Sequence, residues 1–350
     1  MSQATYNRAL HVRALLTTAA TFPLIFMGGL VTSHGAGMSV PDWPNSYGYN
    51  MFTFPPSKWV GGIFYEHTHR LMGTVVGMLA IALAIAAWRV ETRMWARRLC
   101  YGVLAFVIFQ GVLGGLRVVL VKLDLAIVHA CVAQAFFCFA ALAALVTSRW
   151  WIERNSESQG RAPALIAACA FATVTIYAQL IVGAMMRHNN AGLAVADFPL
   201  AYGQVIPSTD SASLAQINQQ RAWRLNLQPV TASQVWLHMG HRIGAALVSV
   251  ALLIASSIAI AKHRQHKIIL IPAMLVIVFL AVQVTLGAYT VWLRKPADIA
   301  SLHVAVGALT LLTSFVMNVG AVRLFATRRA AVCKTEQMET EVIRARRAAA

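Results

Sequence analysis

Eight separate apolar stretches constrain this 350-residue chain more than any other feature. Each is long enough to cross a hydrocarbon layer of about 30 Å. They fall at about 14–32, 61–88, 99–121, 126–148, 163–186, 235–261, 268–292 and 300–325, with ends uncertain by about 2–4 residues. Only 12% of residues are charged, against about 25% in soluble domains. The expected class is therefore an all-α membrane protein with eight transmembrane helices. The first stretch follows a basic N-terminus, as a signal peptide would. Its end and the loop beyond it recur near 170–186, so it belongs to the fold.

The net charge of +17 reports topology, with no nucleic-acid module in view. Arg8 and Arg13 precede the first stretch, and Arg89, Arg93, Arg97 and Arg98 follow the second. Arg149, Arg154 and Arg161 follow the fourth, Lys262, Arg264 and Lys267 the sixth, and Arg323, Arg328 and Arg329 the eighth. All lie on one side if both termini are cytoplasmic, which is the positive-inside pattern. The expected location is the cell (inner) membrane, with anionic lipid adding attraction. Of five cysteines, Cys100, Cys131, Cys138 and Cys169 fall in spans and Cys333 in the tail, so no structural disulfide is implied.

The chain also repeats itself. Asp42, Pro44, Tyr47 and Gly48 recur as Asp197, Pro199, Tyr202 and Gly203 at an offset of 155. His69-Arg70 recurs as His241-Arg242 at 172, Gln110 and Gly114 as Gln283 and Gly287, and His129 as His303 at 174. The jump of 17 marks a longer second outer loop, about 187–234, whose polar part from 208 reads as an irregular excursion or short interfacial helix. Each half holds four spans and returns to its starting side. The expectation is two tandem four-helix bundles related by a pseudo-two-fold along the membrane normal. The boundaries are a cytoplasmic N-terminus 1–13, bundles at 14–148 and 163–325, a cytoplasmic linker 149–162 and a cytoplasmic tail 326–350.

Eleven histidines are present. His11, His263 and His266 lie in basic segments and read as solvated; His34 and His188 read as loop residues. His69, His129, His241 and His303 occupy matched places near the outer ends of even-numbered spans. Ionisable residues within a membrane are functional candidates. Two imidazoles from facing helices suit axial ligation of haem iron, whereas zinc asks for three or four ligands. Gly73, Gly77, Gly240, Gly244, Gly114 and Gly115 would clear space for a flat ligand, or simply allow close helix packing. Arg70 and Arg242 are candidate partners for haem propionates; Arg117 and Arg294 are weaker ones.

The halves differ at one position. Glu66 lies one turn before His69 on the same helix face and four before Arg70, whereas its counterpart is His238. A carboxylate in one site alone suggests that one site does chemistry and the other binds a haem for electron transfer or structure. A structural ion pair with Arg70 is compatible with that. His67 points away from His69 and reads as secondary.

Glu66-His67-Thr68-His69-Arg70, the aspartate–proline loops, His129, His241-Arg242 and His303 together resemble the haem A synthase family, over roughly residues 14–325. The resemblance implies a membrane enzyme that oxidises a ring methyl of haem O to a formyl group. It implies His69 and His129 as ligands of the substrate haem, His241 and His303 as ligands of a haem B cofactor, and Glu66 as the catalytic carboxylate. Implied partners are haem O synthase as substrate donor and a quinone-type or other electron acceptor; a homo-oligomer is compatible. Some members carry a cysteine pair in the first outer loop, and residues 32–60 here have none. The rival reading is a bis-histidine dihaem electron carrier, which leaves the Glu66/His238 difference unexplained.

Overall fold

A computed structural model describes residues 5–154 and 160–326. Eight long helices form at the eight apolar stretches: α1 Arg8–Ser33, α2 Gly62–Val90, α3 Met94–Val119, α4 Leu123–Val146, α6 Pro163–His188, α8 Ala232–His263, α9 Lys267–Trp292 and α10 Ala297–Phe325. Two short helices join them, α5 Arg149–Glu153 in the linker and α7 Ser211–Gln220 in the long loop. No strand occurs among the described residues. The helix ends are written in the sequence. Asn7 caps α1 by accepting from the Leu10 N–H at 2.9 Å. Thr231 and Gln234 form a reciprocal capping box at the start of α8. Asp210 accepts from the N–H groups of Ala212 and Ser213 to start α7. The tail expected at 326–350 lies outside the described residues beyond Ala326.

Packing sorts the long helices into two closed rings. In the first, α1 meets α2, α2 meets α3, α3 meets α4 and α4 returns to α1. In the second, α6, α8, α9 and α10 close in the same order. The rings join through α1 on α10, α4 on α6 and α4 on α10. Exchanging the halves maps this set of contacts onto itself, as tandem bundles require. Each ring has its own apolar core, one around Val76, Leu83, Val103 and Phe136, the other around Leu165, Leu252, Ile269 and Met317. Ile25, Phe137 and Ala308 form a smaller cluster at the seam. Outward-facing side chains such as Ile108, Phe109, Val174 and Val278 are exposed and apolar, as a lipid-facing surface demands.

The two long loops, after α1 and after α6, cover the same end of the bundle and repeat in atomic detail. The Asp42 carboxylate accepts from the N–H groups of Tyr47 and Gly48, both at 2.8 Å. Asp197 does the same for Tyr202 and Gly203, at 2.8 and 3.1 Å. Tyr47 and Tyr202 both sit in the left-handed region at φ 52, a conformation held here by the aspartate. Their hydroxyls donate back to the carbonyls of Ser39 and Ala194. The second loop's extra residues fold as α7 and a π turn, with Ile217 and Val230 buried against Val195 and Met239. The expected short helix is there, resting on the loop's own apolar core.

Candidate functional site

Each of the four matched histidines lies about 9–14 Å inside the start of its helix, at the long-loop end. The structure brings them together in the expected pairs. His69 of α2 and His129 of α4 have ring centroids 6.5 Å apart, and His241 of α8 and His303 of α10 have theirs 6.4 Å apart. All four residues are half-buried. The buried Nδ1 atoms of His69, His129 and His303 have no hydrogen-bond partner.

The glycines divide by role. Positions beside Gly73, Gly77 and Gly240 are open, with no neighbouring atom within 4 Å of where a Cβ would stand. Those three do clear space. Gly244 instead admits Gln179, and Gly115 admits the indole of Trp43. Four glycines back the histidines directly: a Cβ on Gly28, Gly114, Gly183 or Gly287 would stand 3.0 to 3.2 Å from Cε1 of His69, His129, His241 or His303. Gly28 and Gly183 escaped the sequence reading, although they too are 155 apart. Three glutamines also attend the rings. Gln110 donates to the His129 carbonyl at 2.7 Å, Gln179 to the His241 carbonyl at 2.7 Å, and Gln283 lies 3.4 Å from the His303 ring. Gln179 has no glutamine counterpart in the first half, so the repeat could not flag it.

Glu66 is 3% exposed. Its Oε2 accepts from the Val40 N–H at 2.9 Å and its Oε1 from Arg70 Nη2 at 3.0 Å. In the second half, Nδ1 of His238 lies 3.2 Å from the N–H of Val195, the residue matched to Val40. The two side chains thus meet the same loop amide, and only one brings a negative charge. Arg70 donates to the carbonyls of Val40, Asp42 and Asn45, and Arg242 to those of Val195, Asp197 and Leu200. Both arginines clamp a loop onto the helix that carries a paired histidine. These hydrogen bonds favour clamping over the propionate role. Arg117 donates to the Gly37 carbonyl and Arg294 to the Leu225 carbonyl. His67 is fully buried, 3.1 Å from the Ser46 hydroxyl and packed on Phe54 and Trp59. It anchors the first loop. His34 stacks on Tyr65 at 3.9 Å.

Fold and site together define an eight-helix membrane protein with two copies of a paired-imidazole site under matching loops. The COX15-CtaA model, cytochrome oxidase assembly protein, matches residues 12–316, and the chain belongs to that family. It is 26% identical to Heme A synthase of Shouchella clausii (strain KSM-K16), over 81% of this chain and 87% of that protein. Likeness to Heme A synthase of Geobacillus kaustophilus (strain HTA426) is also 26%, over 85% and 86%. For that of Alkalihalophilus pseudofirmus (strain ATCC BAA-2126 / JCM 17055 / OF4) it is 25%, over 85% and 92%.

Membership implies haem, and the residues fit one. An iron held about 2 Å from a nitrogen of each ring, as in other histidine–metal bonds, sets the ring centroids about 6 Å apart. Both pairs are at that separation. Among the described residues no three of His, Cys, Asp or Glu converge on one point. The four described cysteines are free thiols. Paired imidazoles beside open glycine faces suit a flat ligand that brings its own equatorial donors.

Proposed function

We propose that the protein is a haem A synthase that oxidises a ring methyl of haem O to a formyl group. The overall change is R–CH3 + H2O → R–CHO + 4 H⁺ + 4 e⁻, run in successive oxidations. His69 and His129 hold the substrate haem in the first ring of helices, and His241 and His303 hold a haem B in the second. That haem B supplies a one-electron carrier between the substrate site and an acceptor of quinone type. The observation that carries this reading is the equal spacing of two histidine pairs combined with the unequal charge beside them, Glu66 in one and His238 in the other.

Imidazoles on both sides of the substrate iron leave no position for dioxygen. Removal of electrons from the methyl group followed by attack of water is the consistent route. Glu66 serves that route in one of two ways. It stabilises positive charge developing at the carbon, since a fixed carboxylate acts strongly where water is excluded, or it takes the proton from the attacking water. Arg70 holds the Glu66 carboxylate and the first loop in one unit, so closure of the loop and placement of the charge are a single event. Both termini are assigned to the cytoplasm and the histidine end to the outer half of an inner membrane, on the distribution of arginine and lysine. Haem O synthase is the expected substrate donor.

The test is to express the chain with a haem O supply and identify the extracted haems. Wild type is expected to yield haem A. His69→Ala or His129→Ala should lose haem O and haem A while keeping haem B. His241→Ala or His303→Ala should lose haem B. Two equal haem B groups in wild type, with no haem A formed, would establish the electron-carrier reading instead. Oxygen-18 water during turnover should label the hydroxymethyl precursor; its absence there, without back-exchange, defeats the water route.

A further inference from the structure

The seam between the two rings, at the long-loop end, carries cations that form no ion pair among the described residues. Arg187, in the last turn of α6, reaches across to α1, where its Nη2 donates to the Gly29 carbonyl and the Ser33 hydroxyl. Its Nε is buried without a partner. Lys295 sits in the turn between α9 and α10, in the left-handed region at φ 64, with its stem beside Gly192. Burial, and then the charge of Arg187, push its ammonium below the usual lysine range. Arg117 ends α3, and the half-buried His188 lies within the electrostatic reach of both arginines.

The ion pairs among the described residues are Arg70–Glu66, Arg93–Glu91 and Arg149–Glu153. None includes Arg187, Lys295 or Arg117. Glu66 is the acid whose field reaches Arg117, and it already binds Arg70. Partly buried charge without an anion is unfavourable, so a fold that keeps three such cations together is arranged for an anion that arrives later. The cluster also adjoins both histidine pairs. Arg187 bonds the Ser33 hydroxyl, which lies 2.9 Å from the hydroxyl of Ser301, two residues before His303; Arg117 lies one turn beyond Gly114, the glycine that backs the His129 ring. Arg70 and Arg242, the arginines next to the paired histidines, each spend both terminal nitrogens on three loop carbonyls, whereas Arg117 and Arg187 each give only one terminal nitrogen to backbone or hydroxyl oxygens. A haem presents two carboxylates on one edge, which is the charge the seam lacks.

We propose that Arg187 and Lys295 are positioning residues that bind the propionate carboxylates of the haem held by His241 and His303, and that Arg117 does so for the substrate haem. This rests on the haem reading above. One guanidinium then touches the edge of one haem and, through Gly29, the helix whose neighbouring Gly28 backs His69. The two sites are joined by a direct chain of contacts.

The experiment compares haem B with its dimethyl ester, whose iron and ring are unchanged and whose carboxylates are blocked. Full-length protein carrying His69→Ala is purified in detergent, so that only the second pair binds. It is then depleted of haem and titrated with each porphyrin. The expected result is at least a tenfold preference for the free acid, falling to about onefold in Arg187→Gln/Lys295→Gln. The midpoint potential of bound haem B should fall in the double variant, since cations beside the ring favour the ferrous state. A tenfold change in the redox ratio corresponds to about 59 mV for one electron. Arg187→Lys should keep most of the preference. Lys295→Gln alone, in the turn outside the helices, should lower it about threefold, and it serves if the double variant does not fold. A merely structural role would leave the acid-to-ester ratio unmoved, and an unchanged ratio with haem still bound through His241 and His303 overturns the inference alone. Binding that survives His303→Ala overturns the haem reading and this inference with it.

Discussion

Replacing Glu66 separates holding the loop from doing the chemistry. Its carboxylate makes two hydrogen bonds in a site 3% exposed, one to the Val40 N–H and one to Arg70. Gln keeps an acceptor for the Val40 N–H and weakens the bond to Arg70 from a charge-assisted pair to a neutral–charged one. The loss is about 1 kcal/mol, the difference between hydrogen bonds with and without full charge assistance. Ala leaves a buried N–H and an uncompensated Arg70, which costs about 3–5 kcal/mol. If Glu66 acts on the reacting carbon or water, Glu66→Gln should retain folding and haem content yet slow haem A formation about 10²–10³-fold. Glu66→Ala should lose both activity and the order of the first loop. The measurements are haem A per bound substrate haem by chromatography, thermal unfolding in detergent, and hydrogen exchange across residues 34–61. Haem A formation by Glu66→Gln at the wild-type rate would refute the catalytic role. So would losses of activity in Gln and Ala that track loop exchange in both, because the residue would then be a clamp like its counterpart His238.

Other outcomes follow from the same geometry. Gly183→Ala would set a methyl 3.1 Å from the His241 ring and Gly28→Ala one 3.1 Å from His69; each should perturb the absorption of one haem and leave the other, at a cost of about 1–3 kcal/mol. His238→Glu should fold, since a carboxylate there can accept from Val195 N–H and pair with Arg242, and it should not create a second haem A-forming site; conversion of haem at the second site would show that charge alone confers activity. Burial raises the Asp42 carboxyl, but its bonds from the Gly48 and Tyr47 N–H groups and the charge of Arg70 outweigh that and hold it below the usual carboxylate range. A depressed folded value means the aspartate supports the loop fully above the unfolded pKa of about 3.9 and loses that support as pH falls through the folded value. Limited proteolysis of the first loop should therefore accelerate on acidification in wild type, and Asp42→Asn should show the fast rate at neutral pH without that step.

Much of the architecture was legible because membrane helices carry a simple signal. About twenty apolar residues must span, and alternating basic loops set direction. The eight helices form where hydrophobicity places them, and the four-span halves place His69 with His129 and His241 with His303, whose rings lie close together in the structure. A residue that serves its role through the backbone gives no such signal. Gln179 and Arg187 act across helices that are distant in sequence. Gly28 and Gly183 look like any small residue in a span until a histidine is seen against them. Arg70 and Arg242 invited a propionate role because guanidinium suits carboxylates, and what the structure adds is that their terminal nitrogens meet loop carbonyls. No sequence pattern announces where those carbonyls turn.

Composition, span length and internal repetition were thus enough to determine an eight-helix membrane protein with two like sites and one unlike residue, Glu66 opposite His238. These are one-dimensional properties, and the bilayer turns them into structure with few alternatives. Only the tertiary structure decided which groups satisfy one another at the loop end. There the backbone leaves its helices, and each exposed N–H or carbonyl must find a partner from another segment. That competition commits Arg70 to the loop, makes Glu66 a clamp as well as a charge, and leaves Arg187 and Lys295 facing the seam without an acid among the described residues.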